Sequence, residues 1–417
     1  VPRGAGTGLS GGAMPCRHGV LVALSRMTRI ISIDPDNQLA VVEPGVRNLA
    51  ISQAAAPYGL YFAPDPSSQS VCSIGGNVAE NSGGAHCLKY GFTTHHVRAV
   101  EVVLAGGDIV ELGGPVLDPL GYDLRGVFIG SEGTLGIASK ITVQLLRIPE
   151  AVRTLVADFA SPAQAGHAVT AIIDAGIIPA AVEMLDTLAI EACEAATGAG
   201  YTRGVGAALV VEVDGPEAGL DDELQAIEAL CRQCGSSGIR RAADPAERAL
   251  IWKGRKAAFA AVGRLSPDYL VQDGVIPRTA LGAVLARIAE MARTAELRVA
   301  NVFHAGDGNL HPLVLYDAGV PGQGERAERL ATAIAELCVD YGGSITGEHG
   351  VGVDKACSMP KMFSEDDLQV MQRVRRAFDP AVLCNPDKLL PTPRLCGEKP
   401  GPYRPHPLEE AGLIERL

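Results

Sequence analysis

The chain has 417 residues, with 36 Lys and Arg against 48 Asp and Glu, a formal charge of −12. That balance excludes the basic footprint of a nucleic-acid binder and argues against charge-driven attachment to anionic lipid. With 47% hydrophobic and 20% charged residues and no apolar run near the ~20 residues of a membrane span, a disordered or membrane-spanning chain is also excluded, and the length predicts two or three domains. The sequence opens VPRGAGTGLSGG, inside a motif and without signal-peptide form, so Val1 is not expected to be the natural start. From Val20 to about Leu146, short β-rich runs alternate with Gly, Pro, Asn and Asp clusters, which reads as an α+β sheet domain with long loops. Beyond Pro149 strands alternate with longer helices. The stretch 161–175 opens on a Ser-Pro cap and stops at Gly176, and the β-α-β-β-α order predicts an antiparallel sheet with helices on one face. A Ser-capped acidic helix is expected over 364–378, and a proline-rich tail closes the chain.

Glycine, at 49 residues, concentrates in loops. Gly6 to Gly11 matches G-x-G-x-x-G, but Pro15 and Gly19 break any following helix and VLVAL is a strand, so a dinucleotide-binding βαβ unit is not expected. The loop can still present converging backbone N–H groups to an anion, but read alone it is better taken as a glycine-rich turn with no ligand. Two further loops, PDPSSQSVCSIGGNVAENSGG (64–84) and GSEGTLGI (130–137), carry few charges. Three such loops separated by short strands predict an extended cofactor threaded across the domain.

Asp307-Gly308 between the apolar runs VANVFH and LHPLVLY predicts a hairpin. A turn centred there opposes His304 and His311, with Cβ atoms ~5 Å apart, close enough to share a metal. On that segment alone, two solvent-facing histidines are the competing reading. The next loop, GGSITGEHGVGVDK, adds Glu348, which completes a His/His/carboxylate set with open positions, and His349, free to act as a base near neutral pH. Arg255, beside the only tryptophan, Trp252, suits a substrate carboxylate, with a solvated helix face as the alternative for it and for Lys256. The ten cysteines show no metal-type pairing beyond Cys231 and Cys234, so reduced thiols of the cytoplasm are expected.

The motifs PRGAGTGLSGGA, PDPSSQSVCSIGGNVAENSGG, GSEGTLGI, HAGDGNLHP, TGEHGVG and NPDKLLP occur in the order found in FAD-linked oxidases of the vanillyl-alcohol-oxidase type. The resemblance covers about residues 1–395 and is nearest to glycolate oxidase FAD subunits, with D-lactate and D-2-hydroxyglutarate dehydrogenases close by. It implies an α+β fold: a PCMH-type FAD-binding domain over 1–148 whose first subdomain is missing, an antiparallel-sheet cap domain over 149–363, a segment over 364–395 returning to the FAD domain, and a tail over 396–417. It further implies pyrophosphate held by Gly4, Gly6, Thr7, Gly8, Leu9 and Gly11, and flavin and ribityl contacts from Ser73, Gly75, Gly76, Asn77 and Ser82. Glu132, Gly133 and Ile137 would lie near the adenine and diphosphate, and Asn385 and Lys388 would approach from the C-terminal segment. His304, His311 and Glu348 match divalent-metal ligands, with zinc the expected ion, His349 the catalytic base and Arg255 a substrate-carboxylate ligand.

The implied reaction is oxidation of a small 2-hydroxy acid, glycolate or D-lactate, to the 2-oxo acid. His349 would take the hydroxyl proton and flavin N5 the hydride. No histidine occupies the first loop, which implies non-covalent FAD, and Gln272 stands where 2-hydroxyglutarate enzymes have a lysine, which argues against that alternative substrate. A non-catalytic flavin-binding or scaffolding subunit is the alternative of another class. By resemblance the partners are a second flavoprotein-like subunit and an iron–sulfur subunit, which would hold a cytoplasmic protein at the inner face of the membrane.

Overall fold

The computed structural model describes residues 1–116 and 121–392; the predicted tail lies outside the described residues. Two sheets carry the structure. The first joins β1 (Ile30–Asp34), β2 (Leu39–Val42), β3 (Val97–Val103), β4 (Ile109–Gly113) and β5 (Ile137–Gln144) in the order β1-β2-β5-β3-β4, every pairing antiparallel. Its inward residues Val42, Val100, Ile141 and Val143 pack with Ile74 and Val78 of helix α1 (Ile74–Glu80). No helix follows the first glycine loop; Pro2–Arg3 pairs in parallel with Val22–Ala23.

The second sheet begins at Ala151, after the chain leaves the first domain at Arg147. Its antiparallel core is β6 (Ala151–Phe159), β7 (Ala181–Asp186), β8 (Ala207–Gly215) and β9 (Gly238–Arg241), ordered β9-β6-β8-β7. Beyond β7 lie β11 (Arg298–His304), β12 (Pro312–Tyr316) and β10 (Asp268–Val271). The predicted helix over 161–175 is present as α2 (Pro162–Asp174), with the Ser161 hydroxyl accepting from Gln164 N and Gly176 at φ +78°. Helices cover both faces of this sheet, not one. On one side α2, α3 (Leu220–Gln233), α6 (Leu281–Thr294) and α7 (Gln323–Asp340) pack on Phe159 and Leu209. On the other, the segment Thr187–Thr197, α4 (Pro245–Lys256) and α5 (Ala258–Val262) pack on Val156 and Val210. The reason is visible in LVVEV of β8: a strand apolar at consecutive positions must be covered twice.

Helix α8 (Glu365–Phe378) starts at a Ser364/Asp367 capping box. The segment after it returns to the first domain, where Asn385 Nδ2 donates to the carbonyls of Gly12 (2.9 Å) and Glu132 (2.6 Å). Among the described residues eight cysteines are free thiols, Cys231 and Cys234 included; Cys357 departs from the expected reduced state in being disulfide-bonded.

A buried polar joint fixes the domains against each other. His86, from the second glycine-rich loop region, meets Asp65 through Nδ1 (2.9 Å) and Glu212 of β8 through Nε2 (3.1 Å). Glu212 also accepts from Arg248, Trp252 Nε1 and Thr154 Oγ1. Burial opposes charge on His86, but the two carboxylates outweigh it and raise its pKa from 6.5 to about 10. A raised folded-state pKa stabilises fully below the unfolded value of 6.5, and that stabilisation is lost as pH rises through about 10. The melting temperature of the wild type should therefore exceed that of His86→Gln at neutral pH by an amount that shrinks towards pH ~10. A gap independent of pH would remove the ionic joint.

Candidate active site

Three glycine-bearing loops meet over α1 and enclose a cavity of about 400 Å³. A Cβ on Gly4 would collide with Ser73 Oγ, and one on Gly133 would come within 2.5 Å of Pro2 Cγ, so these glycines let the loops pack on each other. The cavity wall contains Gly4, Gly6, Thr7, Gly8 and Leu9 from the first loop, and Ser73, Gly75, Gly76, Asn77 and Ser82 from the second. Glu132, Gly133, Ile137 and Asn385 complete that end of it. Two expected cofactor residues lie outside the wall: Gly11 packs towards Val353, and Lys388 is buried within the C-terminal segment. Glu132 is in the wall, but its carboxylate is spent on the amides of Val351 (2.7 Å) and Gly352 (2.6 Å) and is not free for an adenine or diphosphate. Three buried wall atoms, Ser131 Oγ, Glu80 Oε2 and Asn385 Oδ1, have no protein partner and offer hydrogen bonds to a polar ligand. A glycine-rich wall with such atoms fits a long dinucleotide.

Glu348 and His349 also line the cavity. Their loop is shaped by Asp273, which lies two residues beyond the end of β10 and is completely buried. Its carboxylate accepts from the amides of Gly347 (2.9 Å), Glu348 (3.2 Å) and His349 (2.9 Å) and from Thr346 Oγ1 (2.6 Å). Burial alone would raise its pKa, but the His349, Lys355 and His311 charges hold it far below the ordinary carboxylate range. From the first domain, Ser10 Oγ donates to the His349 carbonyl (2.8 Å). Both domains thus grip the loop.

His304 ends β11 and pairs in register with Asn309, across a four-residue turn Ala305–Gly308. His311 is consequently a diagonal neighbour of His304, not its directly opposed partner; the longer turn shifts the register. The two rings are still 5.1 Å apart, and His311 stacks on His349 at 4.9 Å. Nε2 of His304 (3.3 Å) and of His311 (3.1 Å) both converge on Glu348 Oε1. These three residues offer donor atoms all within 4.8 Å of one another, which fits a divalent cation with open positions. Asp273, His311 and His349 also converge, but the Asp273 oxygens are occupied by the loop amides.

Glu183 of β7 was not singled out from the sequence. It lies opposite His304, with Oε1 2.7 Å from Nδ1, and orients that ring with Nε2 towards Glu348. Burial opposes charge on His304, yet Glu183 and Glu348 hold its pKa well above the usual histidine value, a field that also favours a metal cation. Burial would raise Glu348, but His304 and His311 keep it well below the ordinary carboxylate value, and so ionised. Burial lowers His349 to about 4 against the pull of Asp273, which leaves a neutral imidazole able to accept a proton at neutral pH. Arg255 is 2% exposed and outside the cavity wall. Where the resemblance implies a substrate ligand, the structure shows its Nη2 2.6 Å from Glu183 Oε2.

Residues 148–389 match the family of FAD linked oxidases, C-terminal domain, and residues 1–113 match the FAD binding domain. The chain belongs to the FAD-linked oxidases. Glycolate oxidase subunit GlcD of Escherichia coli strain K12 is 52% identical over 95% of this chain and 80% of its own length. GlcD of Bacillus subtilis is 38% identical over 93% and 83%, and a mitochondrial D-lactate dehydrogenase [cytochrome] of Arabidopsis thaliana 31% identical over 95% and 70%. Among solved structures, p-cresol methylhydroxylase aligns with TM-score 0.74 over 88% of this chain and 79% of its own, at 18% identity, and 4-ethylphenol oxidase with 0.72 over 89% and 80%, also at 18%. At that identity the likeness shows the fold: a flavin-binding domain with an antiparallel-sheet cap. No described helix of this oxidase is long and apolar enough to cross a membrane.

Proposed function

We propose that this FAD-linked oxidase oxidises glycolate or D-lactate to the corresponding 2-oxo acid. The observation that carries the reading is the joining, on one loop lining the cavity, of a carboxylate, Glu348, that converges with His304 and His311, and a neutral imidazole, His349. The resemblance to GlcD and to D-lactate dehydrogenases supports the substrate class. When bound, non-covalent FAD supplies a two-electron acceptor and a divalent ion, zinc by its nitrogen and oxygen donors, supplies Lewis acidity. His304, His311 and Glu348 hold the ion and orient the substrate hydroxyl, and His349 accepts the hydroxyl proton. The cavity walls exclude water from the reacting centre.

The substrate preference is tested by anaerobic stopped-flow reduction with glycolate, D-lactate, L-lactate and D-2-hydroxyglutarate. Bleaching by the first two at neutral pH is expected; a flavin untouched by both would end this reading. Glu183→Gln should weaken metal affinity about 10–100-fold, read by competitive zinc titration, because His304 loses the carboxylate that fixes its ring. Unaltered affinity would make Glu183 a packing residue only. Electrons leave through a partner, in keeping with GlcD being a subunit, and we assign that role to a second flavoprotein-like subunit and an iron–sulfur subunit. We assign a cytoplasmic location, in keeping with the eight free thiols among the described residues though not with the disulfide at Cys357, and contact to the inner membrane face made by those partners.

A further inference from the structure

We propose that a second cavity, behind the loop that carries Glu348 and His349, binds a medium-chain aliphatic monocarboxylate at Arg375, an inference independent of the hydroxy-acid reading above. The cavity holds about 370 Å³ and is walled by the third glycine loop, by residues flanking Glu348 and His349, and by helix α8. That volume lies within the range of small-molecule sites. Its apolar wall includes Met359, Met362, Met371, Phe363, Val370 and Val374. Methionine side chains adapt to an irregular apolar body, and a single aromatic ring among them suits an alkyl chain better than a ring system. Val370 (52% exposed) and Met362 (36%) stand at the rim, so the apolar wall runs out to solvent.

The wall contains one charged residue, Arg375, and no carboxylate. Arg375 is 8% exposed, and its Nη atoms donate to the carbonyls of Cys384 (2.9 Å), Asn385 (3.3 Å) and Lys388 (3.4 Å). Its Nε has no partner, and among the described residues the guanidinium forms no ion pair. Burial lowers its pKa although Asp379 pulls the other way. A buried cation without a paired anion is costly, and an entering carboxylate removes that cost. Most hydroxyls of the wall are already spent: Thr134 Oγ1 donates to the Ser131 carbonyl (2.7 Å), Ser344 Oγ to the Thr346 carbonyl (2.8 Å) and Thr346 Oγ1 to Asp273 (2.6 Å). Ser131 Oγ, in the wall of both cavities, has no partner and remains as a second donor. One cation, one free hydroxyl and no anion in an apolar wall specify a single carboxylate on a hydrocarbon body.

The site is coupled to the loop in front of it. Ile345, Thr346 and Val351 of the wall flank Glu348 and His349 on both sides. Ile345 and Val351 also pack with Met359 and Leu390 in one small apolar cluster. An alkyl chain beside that cluster adds apolar contacts to both ends of the loop, so occupancy slows its local opening.

The experiment uses FAD-loaded holoenzyme and decanoate below its micellar concentration. Calorimetry should show one decanoate per chain, with affinity falling about fourfold for each methylene removed in octanoate and hexanoate. The uncharged 1-decanol should bind at least about tenfold more weakly. Hydrogen exchange of the amides over 344–352, read by mass spectrometry, should slow when decanoate is bound. Arg375→Met should bring decanoate down to the affinity of decanol. Because that variant also loses the carbonyl contacts of Arg375, Val370→Trp supplies a second arm at the exposed rim. It narrows the mouth, should keep the wild-type flavin spectrum and melting temperature, and should weaken decanoate about tenfold or more. Decanol binding as tightly as decanoate, or decanoate affinity unchanged in Val370→Trp, would overturn the site. Decanoate displaced by glycolate would place it in the first cavity and overturn the assignment equally. One decanoate bound with exchange over 344–352 unaltered would overturn the coupling to the loop.

Discussion

His349→Ala is expected to slow flavin reduction by glycolate or D-lactate about 10²–10⁴-fold, the usual contribution of a positioned general base. The imidazole lines the cavity, is stacked on His311, and has its backbone fixed at both ends, its amide by Asp273 and its carbonyl by Ser10. Because those contacts are made by the main chain, alanine removes the ring and leaves the loop anchored. The flavin spectrum and zinc content of the variant should therefore match the wild type, and the loss should appear in kcat as well as kcat/KM. Single-turnover stopped-flow reduction reads it directly. A variant reduced at the wild-type rate would remove His349 from the chemistry, and one that lost flavin or zinc would mean the ring has a structural role.

The parts of this site that sequence reasoning reached are those whose chemistry is local. Glycine loops announce themselves by composition, and Glu348-His349 are adjacent in the chain, so their joint presentation needs no knowledge of the fold. His304 and His311 were also brought together by a hairpin signal, although the four-residue turn at Ala305–Gly308 displaced the expected register. Glu183, Asp273 and the true role of Glu132 were not legible, because each acts on a residue 76 to 220 positions away. A signal did exist: Glu183 is a carboxylate within the apolar strand AVEMLD, and Asp273 stands one residue beyond DYLV, after Gln272. An acidic side chain in such a setting must be paired if the strand is buried. Glu132 shows the converse limit. Its place in a cofactor loop was readable, but the loop it captures comes from the other domain, and only the docking of the two domains gives its carboxylate a partner. Within the second domain, the packing of α4 on the sheet turns Arg255 towards Glu183, which helix periodicity alone does not determine.

Glu348→Gln is expected to abolish stable metal binding and turnover together, whereas chelation of the wild type should abolish turnover reversibly. Glu348 is the only anion of the three convergent donors, so the amide removes one full negative charge from a largely buried site and keeps its shape. Its Oε1 is also the atom on which both histidine Nε2 atoms converge. Metal analysis should fall from about one ion per chain to well below it. With the dianionic surroundings of His304 reduced to Glu183 alone, that imidazole loses part of the field that favours positive charge. Dialysis of the wild type against a strong chelator should give an enzyme whose flavin bands persist but no longer bleach with glycolate, and added zinc should restore them. Because the flavin loops and the metal trio are held by different contacts, the two losses should separate. A chelated enzyme still reduced at full rate would confine His304, His311 and Glu348 to holding the loop and would leave proton removal to His349 unaided.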